Sequence, residues 1–381
     1  MKNFRFFYTL MAALLVFWNC EVDPLESNSQ DLSASKHDTE AVHKSKLQNK
    51  VFISEALTHN ALGNTNVRKL QIYTPPGYDK HGDRMYPVVY LLHGEPFSEK
   101  TFIDMKTWDE TINPNGYFKE YPDFPEQGFK AWVDDLIDSG AMEPMIIVMP
   151  NSDSEAGYRF SFYSNSILNG NFEDYIVTDV VRYMDEHYNT ITNASGRAVI
   201  GYSQGGYAAF KYGLKHADIF GTVASHSGLL LVDAVLSLGE VVIAENPDGF
   251  TGPDPTKFLT SAGYAMSAAW SPNLENPPFF VDLPFEWPYP EPLPEVAARW
   301  YEHDVFTLLD THVNAFKSLK GIYFDVGIYD ELGIQEAYPY IIAKLDYYGI
   351  DYTYKTFKGG HFNKTFERLA ESLTFCSNAM H

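Results

Sequence analysis

The chain has 381 residues, 45% of them hydrophobic and 15% aromatic, which suits a globular protein with a sizeable core. Its net charge of −22 excludes nucleic acid as a partner, because phosphate binding needs a basic face; the excess acid reads as a solvated surface. Cys20 and Cys376 stand in no metal-ligand spacing, and neither H-E-x-x-H nor a phosphate loop occurs, so no metal and no cofactor are expected.

The chain begins with Lys2 and Arg5, followed by an apolar run, Phe6 to Trp18, that is short for a membrane span and the right size for a signal-peptide core. The run ends at Asn19-Cys20, which resembles a bacterial lipoprotein signal with Cys20 as the lipidated residue. That resemblance implies export and anchoring in the cell envelope of a Gram-negative bacterium, at the periplasm or the surface. An ordinary signal peptide and an uncleaved anchor are the competing readings. Residues 21–50 are polar and read as a flexible tether, with the folded part, 51–381, starting near Val51.

Arg68–Tyr78 alternates and stops at Pro75-Pro76-Gly77, a strand and turn. Tyr86–Leu92 and Met145–Pro150 are continuous apolar runs, the pattern of buried parallel strands. Phe172–Tyr188 has helical spacing. Ala198-Val199-Ile200 predicts a strand, then Gly201-Tyr202-Ser203-Gln204-Gly205 breaks it, and small residues start a helix at Gly206. Gly221–Gly228 and Gly321–Gly327 are further strands. Between them, 231–299 shows no clear strand, and eight prolines from Pro272 to Pro294, interleaved with Phe279, Phe280, Phe285, Trp287 and Tyr289, predict an irregular insertion packed over one end of the sheet. A helix over Ile334–Tyr348, a strand over Tyr352–Phe357 and a closing helix from about Lys364 to Ser377 complete the pattern. The alternation predicts an α/β fold with a mostly parallel sheet and helices on both faces.

G-x-S-x-G at a strand–turn–helix junction is the layout of a nucleophile elbow, so Ser203 is the candidate nucleophile. A serine hydroxyl needs a base beside it. His361 follows a strand and Gly359-Gly360, on the edge where α/β sheets gather their catalytic groups. Asp330, just past the Gly321–Gly327 strand, is the candidate orienting acid, with Asp325 and Glu331 as rivals; His226 is the rival base. The order Ser203, Asp330, His361 is that of the α/β-hydrolases. Oxyanion donors are expected from the backbone of Gln204 and of Glu95 or Gly94. The insertion residues Phe285 and Trp287, with Tyr202, are candidate substrate contacts.

Together the motifs Ile72–Tyr78, Pro87–Gly94, Ile147–Pro150, Phe172–Tyr175, Gly201–Gly206 and Gly359-Gly360-His361 resemble those of the esterase D-like α/β-hydrolases, the group that holds carbohydrate esterase family one and the enterochelin esterase-like proteins. The resemblance implies an α/β-hydrolase fold and hydrolysis of carboxylic esters through Ser203, Asp330 and His361, on acyl or feruloyl esters of carbohydrates. Acyl transfer by the same triad, a prolyl oligopeptidase-like peptidase and a non-catalytic surface binding protein are the alternatives. The sequence departs from the family pattern at Glu95 and in the 231–299 insertion, both where substrate choice is made.

Overall fold

The computed structural model describes residues 43–94, 98–104, 123–254 and 256–381. Its main sheet has eight strands: β1 Lys46–Ile53, β2 Val67–Thr74, β3 Val88–Leu92, β4 Ile146–Pro150, β5 Arg197–Tyr202, β6 Thr222–His226, β7 Gly321–Gly327 and β8 Thr353–Phe357. The order is β1-β2-β4-β3-β5-β6-β7-β8. β2 pairs antiparallel with β1 and with β4, and every later pairing is parallel. This is the predicted α/β architecture. β1 begins at Lys46, so the folded part starts before Val51 and takes the last residues of the expected tether.

Side chains alternate across a strand, and here the alternation builds two cores. Val88, Tyr90 and Leu92 of β3 and Val199 of β5 join the larger one. Val89 and Leu91, with Ala198 and Ile200, join the other. The helices are α1 Gly128–Asp138; α2, made of Phe172–Asp174, a π-helical Tyr175–Val180 and Val181–His187; α3 Gln204–Lys215; α4 Val232–Leu236; α5 Gly239–Glu245; α6 Phe258–Trp270; α7 Pro294–Tyr301; α8 Val305–Lys317; α9 Tyr338–Tyr348; and α10 Thr365–Met380. α2, α3, α8 and α9 cover the first core, while α1 and α10 cover the second. Among the described residues no helix is long and apolar enough to cross a membrane.

The insertion is less irregular than expected. Residues 231–299 hold α4, α5 and α6 and the start of α7; the proline-rich stretch between α6 and α7 is the part without regular helix. α7 opens on Pro294, whose fixed φ and missing N–H suit the first helical turn. α6 is buried on most sides, from Thr260 to Trp270, so it lacks the polar face that would have marked it as a helix.

Candidate active site

The site is built from the ends of four parallel strands. After β5 the chain turns through Ser203 at φ +56° and ψ −118° and enters α3 directly. A serine holds this conformation only where its surroundings impose it. A Cβ on Gly201 would stand 1.9 Å from the Gly205 carbonyl oxygen, and one on Gly205 would stand 2.4 Å from the Leu92 carbonyl oxygen. Glycine is therefore required on both sides of the turn. Ser203 N–H donates to the His226 carbonyl at 2.8 Å, which ties the turn to β6. Between Arg197 and Leu214 every residue is buried except Ser203, which is partly exposed.

α3 is anchored from below. Lys211, fully buried, donates to the Tyr163 carbonyl and Ser164 Oγ, both at 2.8 Å, and pairs with Glu173 Oε2 at 3.1 Å. Glu173 also meets Lys215 and His216. Burial alone would raise its carboxyl, but the Lys211 charge, the hydrogen bond with His216 and the Lys215 charge hold it well below the usual carboxylate range. Burial drives Lys211 down to about 8 against the pull of Glu173.

Asp330 and His361 arrive from β7 and β8. The loops after these strands are stitched together: Ile328 N–H donates to the Phe357 carbonyl and Tyr329 N–H to the Gly359 carbonyl, both at 3.0 Å. That brings Asp330 Oδ2 to 2.7 Å from His361 Nδ1, with both side chains buried. Asp330 Oδ1 accepts the Leu332 N–H at 3.0 Å, which fixes the carboxylate plane. With Nδ1 turned to the carboxylate, His361 and Ser203 line the same cavity, together with Gln204. The structure thus brings the three predicted residues to one site.

The rival residues have other partners. Glu331 Oε2 accepts the backbone N–H of His361 at 2.8 Å and so holds the loop rather than the imidazole. Asp325 faces away: Oδ2 lies 2.8 Å from His226 Nδ1, and Oδ1 lies 2.6 Å from Arg368 Nη2. Burial pushes the Asp325 carboxyl up, but Arg368 and His226 outweigh it and keep it ionised. His226 is buried, with Nε2 2.8 Å from Ser372 Oγ, and does not line the cavity.

Arg368 was invisible to sequence reading, since it is one polar residue in a helix. Its buried guanidinium takes Asp325 by Nε at 3.0 Å and Nη2 at 2.6 Å, Ser227 Oγ at 2.8 Å and the His361 carbonyl at 3.3 Å. One side chain from α10 thereby links β6, β7 and the His361 loop. Arg368→Met leaves Asp325 buried without its main counter-charge, so we expect a loss of about 3–5 kcal/mol in urea unfolding, and Arg368→Lys, lacking the fork, should recover only part. A loss below about 1 kcal/mol would refute this role.

Of the expected oxyanion donors, Gln204 is the first residue of α3, where the N–H groups point along the helix axis with partial positive charge. Gly94 lies beside the nucleophile: a Cβ on it would stand 3.0 Å from Ser203 Cβ. Glu95 falls outside the described residues, as does Cys20. His93 braces this loop. Its Nδ1 lies 2.7 Å from the Gly94 carbonyl, and Nε2 accepts the Ser152 N–H at 2.9 Å, which fixes the neutral tautomer. Burial pushes this imidazole down to about 4. A base with a depressed folded-state pKa stabilises the fold above its unfolded pKa of about 6.5 and loses that contribution as pH falls towards 4. We therefore expect an acid-side stability loss on the order of 3 kcal/mol from this group, seen as a shallower urea-midpoint slope between pH 7 and 4.5 in His93→Asn. An unchanged slope would contradict it.

Of the expected substrate contacts, Phe285 lines the cavity. Trp287 does not: it lies in an adjoining groove with Nε1 donating to the Asn246 carbonyl at 2.7 Å. Tyr202 is buried behind the triad, where its hydroxyl donates to the His361 carbonyl and its ring packs edge-on to the imidazole. It supports the histidine loop and is not in the cavity wall, because the last residue of β5 points its side chain to the opposite core.

Residues 64–373 match the family described as "Esterase: Putative esterase". The chain belongs to this esterase family. Two curated relatives from Mycobacterium tuberculosis, Esterase Rv1288 and Esterase MT1326, are each 28% identical over 159 residues, 42% of this chain and 28% of theirs. The chain thus aligns with well under half of their length. Among solved structures, a ferulic acid esterase superposes with a TM-score of 0.58 at 18% identity, covering 88% of this chain and 99% of that one. S-formylglutathione hydrolase from Staphylococcus aureus superposes at 0.55 with 16% identity, covering 88% and 99%. These likenesses, with the sheet described above, establish the α/β-hydrolase fold.

Proposed function

We propose that the esterase runs on Ser203, His361 and Asp330. Ser203 Oγ attacks the ester carbonyl while His361 Nε2 takes its proton, and Asp330 holds the imidazole and stabilises its charged form. Backbone N–H groups of Gln204 and of the loop after β3, at Glu95 or Gly94, receive the oxyanion. His361 then gives the proton to the leaving alcohol, an acyl-enzyme forms on Ser203, and water activated by His361 releases the acid. The observation that carries the proposal is the Asp330–His361 pair at 2.7 Å, delivered by β7 and β8 to the cavity that also exposes Ser203.

The substrate class in this proposal is an acyl or feruloyl ester whose alcohol is a carbohydrate. The sequence motifs and the ferulic acid esterase of like fold support it. Turnover of 4-nitrophenyl butyrate by the full chain, giving butyrate and 4-nitrophenolate in equal amounts, is the expected result; no turnover of any carboxylic ester would contradict it. Export and lipid anchoring at Cys20 belong to the same proposal and rest on the sequence alone. Cys20→Ala should move the protein from the membrane fraction to the soluble fraction of expressing cells, and retention in the membrane would rule the anchor out.

A further inference from the structure

The cavity that opens on Ser203 is lined mainly by apolar side chains. It measures about 120 Å³. Its wall away from the triad is formed largely by the insertion, with Val235, Val242, Leu259, Met266, Leu283 and Phe285 among its residues. Three polar residues of the lining, Thr260, Ser227 and Trp300, have partners in the protein. Thr260 Oγ1 donates to Glu245 Oε2 at 2.6 Å and accepts from Asn246 Nδ2 at 2.7 Å. Ser227 Oγ accepts from Arg368 at 2.8 Å, and Trp300 Nε1 donates to Ser271 Oγ at 2.9 Å.

A hydroxycinnamoyl group entering this space would bury its phenol hydroxyl against apolar side chains, beside Thr260, Ser227 and Trp300 groups that already have protein partners, and a buried hydroxyl without a partner is costly. An alkyl chain carries no such cost and gains from every methylene buried. The volume is close to that of an engineered apolar cavity of ~150 Å³ that holds one benzene, so only a short chain fits.

We infer that the acid half of the substrate is an aliphatic chain of about four to six carbons, held by the 231–285 part of the insertion, rather than a hydroxycinnamoyl group. The inference rests on Ser203 being the nucleophile. It assigns the insertion the role of acyl pocket and makes α6 the ruler of chain length. Gly263 of α6 lines the cavity, and a Cβ built on it meets nothing within 4 Å, so a larger side chain there has room to occupy the space meant for substrate.

The test is kcat/KM for 4-nitrophenyl acetate, butyrate, hexanoate and decanoate, with methyl ferulate and methyl butyrate as a matched pair. Each methylene buried should raise kcat/KM about fourfold up to the limit of the cavity, after which the value falls. Methyl butyrate should exceed methyl ferulate at least roughly tenfold. Gly263→Leu should reverse the hexanoate-to-acetate ratio, and Val242→Ala, which enlarges the same wall, should move the optimum to longer chains. A flat chain-length profile, or preference for ferulate, would overturn the inference while leaving the esterase reading intact. No hydrolysis of any ester, or activity that survives Ser203→Ala, would instead overturn the reading beneath it. If Gly263→Leu does not fold, the Val242→Ala profile alone decides: an unmoved optimum counts against the pocket.

Discussion

Ser203→Ala is expected to lower kcat on 4-nitrophenyl butyrate on the order of 10⁶-fold, about 8 kcal/mol of barrier, while the thermal midpoint stays within a few degrees. The size of the effect follows from the division of labour. Without Oγ no covalent intermediate forms, and only the binding pocket and the oxyanion donors remain to favour direct attack by water. Stability should hold because the turn is fixed by backbone: the Ser203 N–H bond to His226, the Tyr207 N–H bond to Ser203 and the close glycines at 201 and 205 do not involve the hydroxyl. Activity within tenfold of wild type would remove Ser203 from the mechanism.

Asp330→Asn is expected to lower kcat about 10⁴-fold with little change in KM. An asparagine fits the same space, but its amide can present N–H to His361 Nδ1 where the carboxylate accepts. The imidazole is then favoured with its proton on Nε2, the nitrogen needed to take the serine proton. Neither neighbouring carboxylate is placed to substitute. Glu331 is engaged with the backbone N–H of His361, and Asp325 with Arg368 and His226. A fall of less than tenfold would show that one of them reorients, and a Glu331→Gln double variant would identify it.

What was legible in the sequence was whatever backbone geometry demands locally. Strands β3, β4 and β5 announced themselves because central parallel strands are buried on both faces and read as apolar runs, while β2 showed by its alternation up to Pro75-Pro76-Gly77. The elbow was legible because only glycine fits at 201 and 205, and the acid and base because each follows a strand at the functional edge. β1 was hidden by its position. It is an edge strand with Val51 and Ile53 exposed, and KLQNKVFI carries no clean alternation. α6 was hidden by burial on most sides, and the prolines after it drew the reading towards irregular structure. Arg368 could not be seen, since its role depends on α10 passing over the ends of β6 and β7, a long-range arrangement that leaves no local pattern. The same holds for Tyr202 and Trp287, whose aromatic character suggested substrate contact and whose positions give them structural partners instead.

The acid pocket shows how the two levels divide. In the proposed mechanism the elbow positions Ser203 by local sterics, whereas the proposed choice of acid rests on the α4, α5 and α6 residues that line the cavity. Variation in 231–285 can therefore change the acyl group accepted without touching the bond-breaking groups. Arg368 and the Glu173–Lys211 pair stand on the other side of that division, since they hold the strands and α3 whatever the substrate.

The most direct measurement is the site of covalent attachment. The wild-type chain, treated with a fluorophosphonate and digested, should carry one phosphonyl adduct, on Ser203 within the peptide that includes Gly201 to Lys211, and labelling should proceed in step with loss of esterase activity. Labelling of another residue with loss of activity, or full inactivation with Ser203 unmodified, would contradict the account.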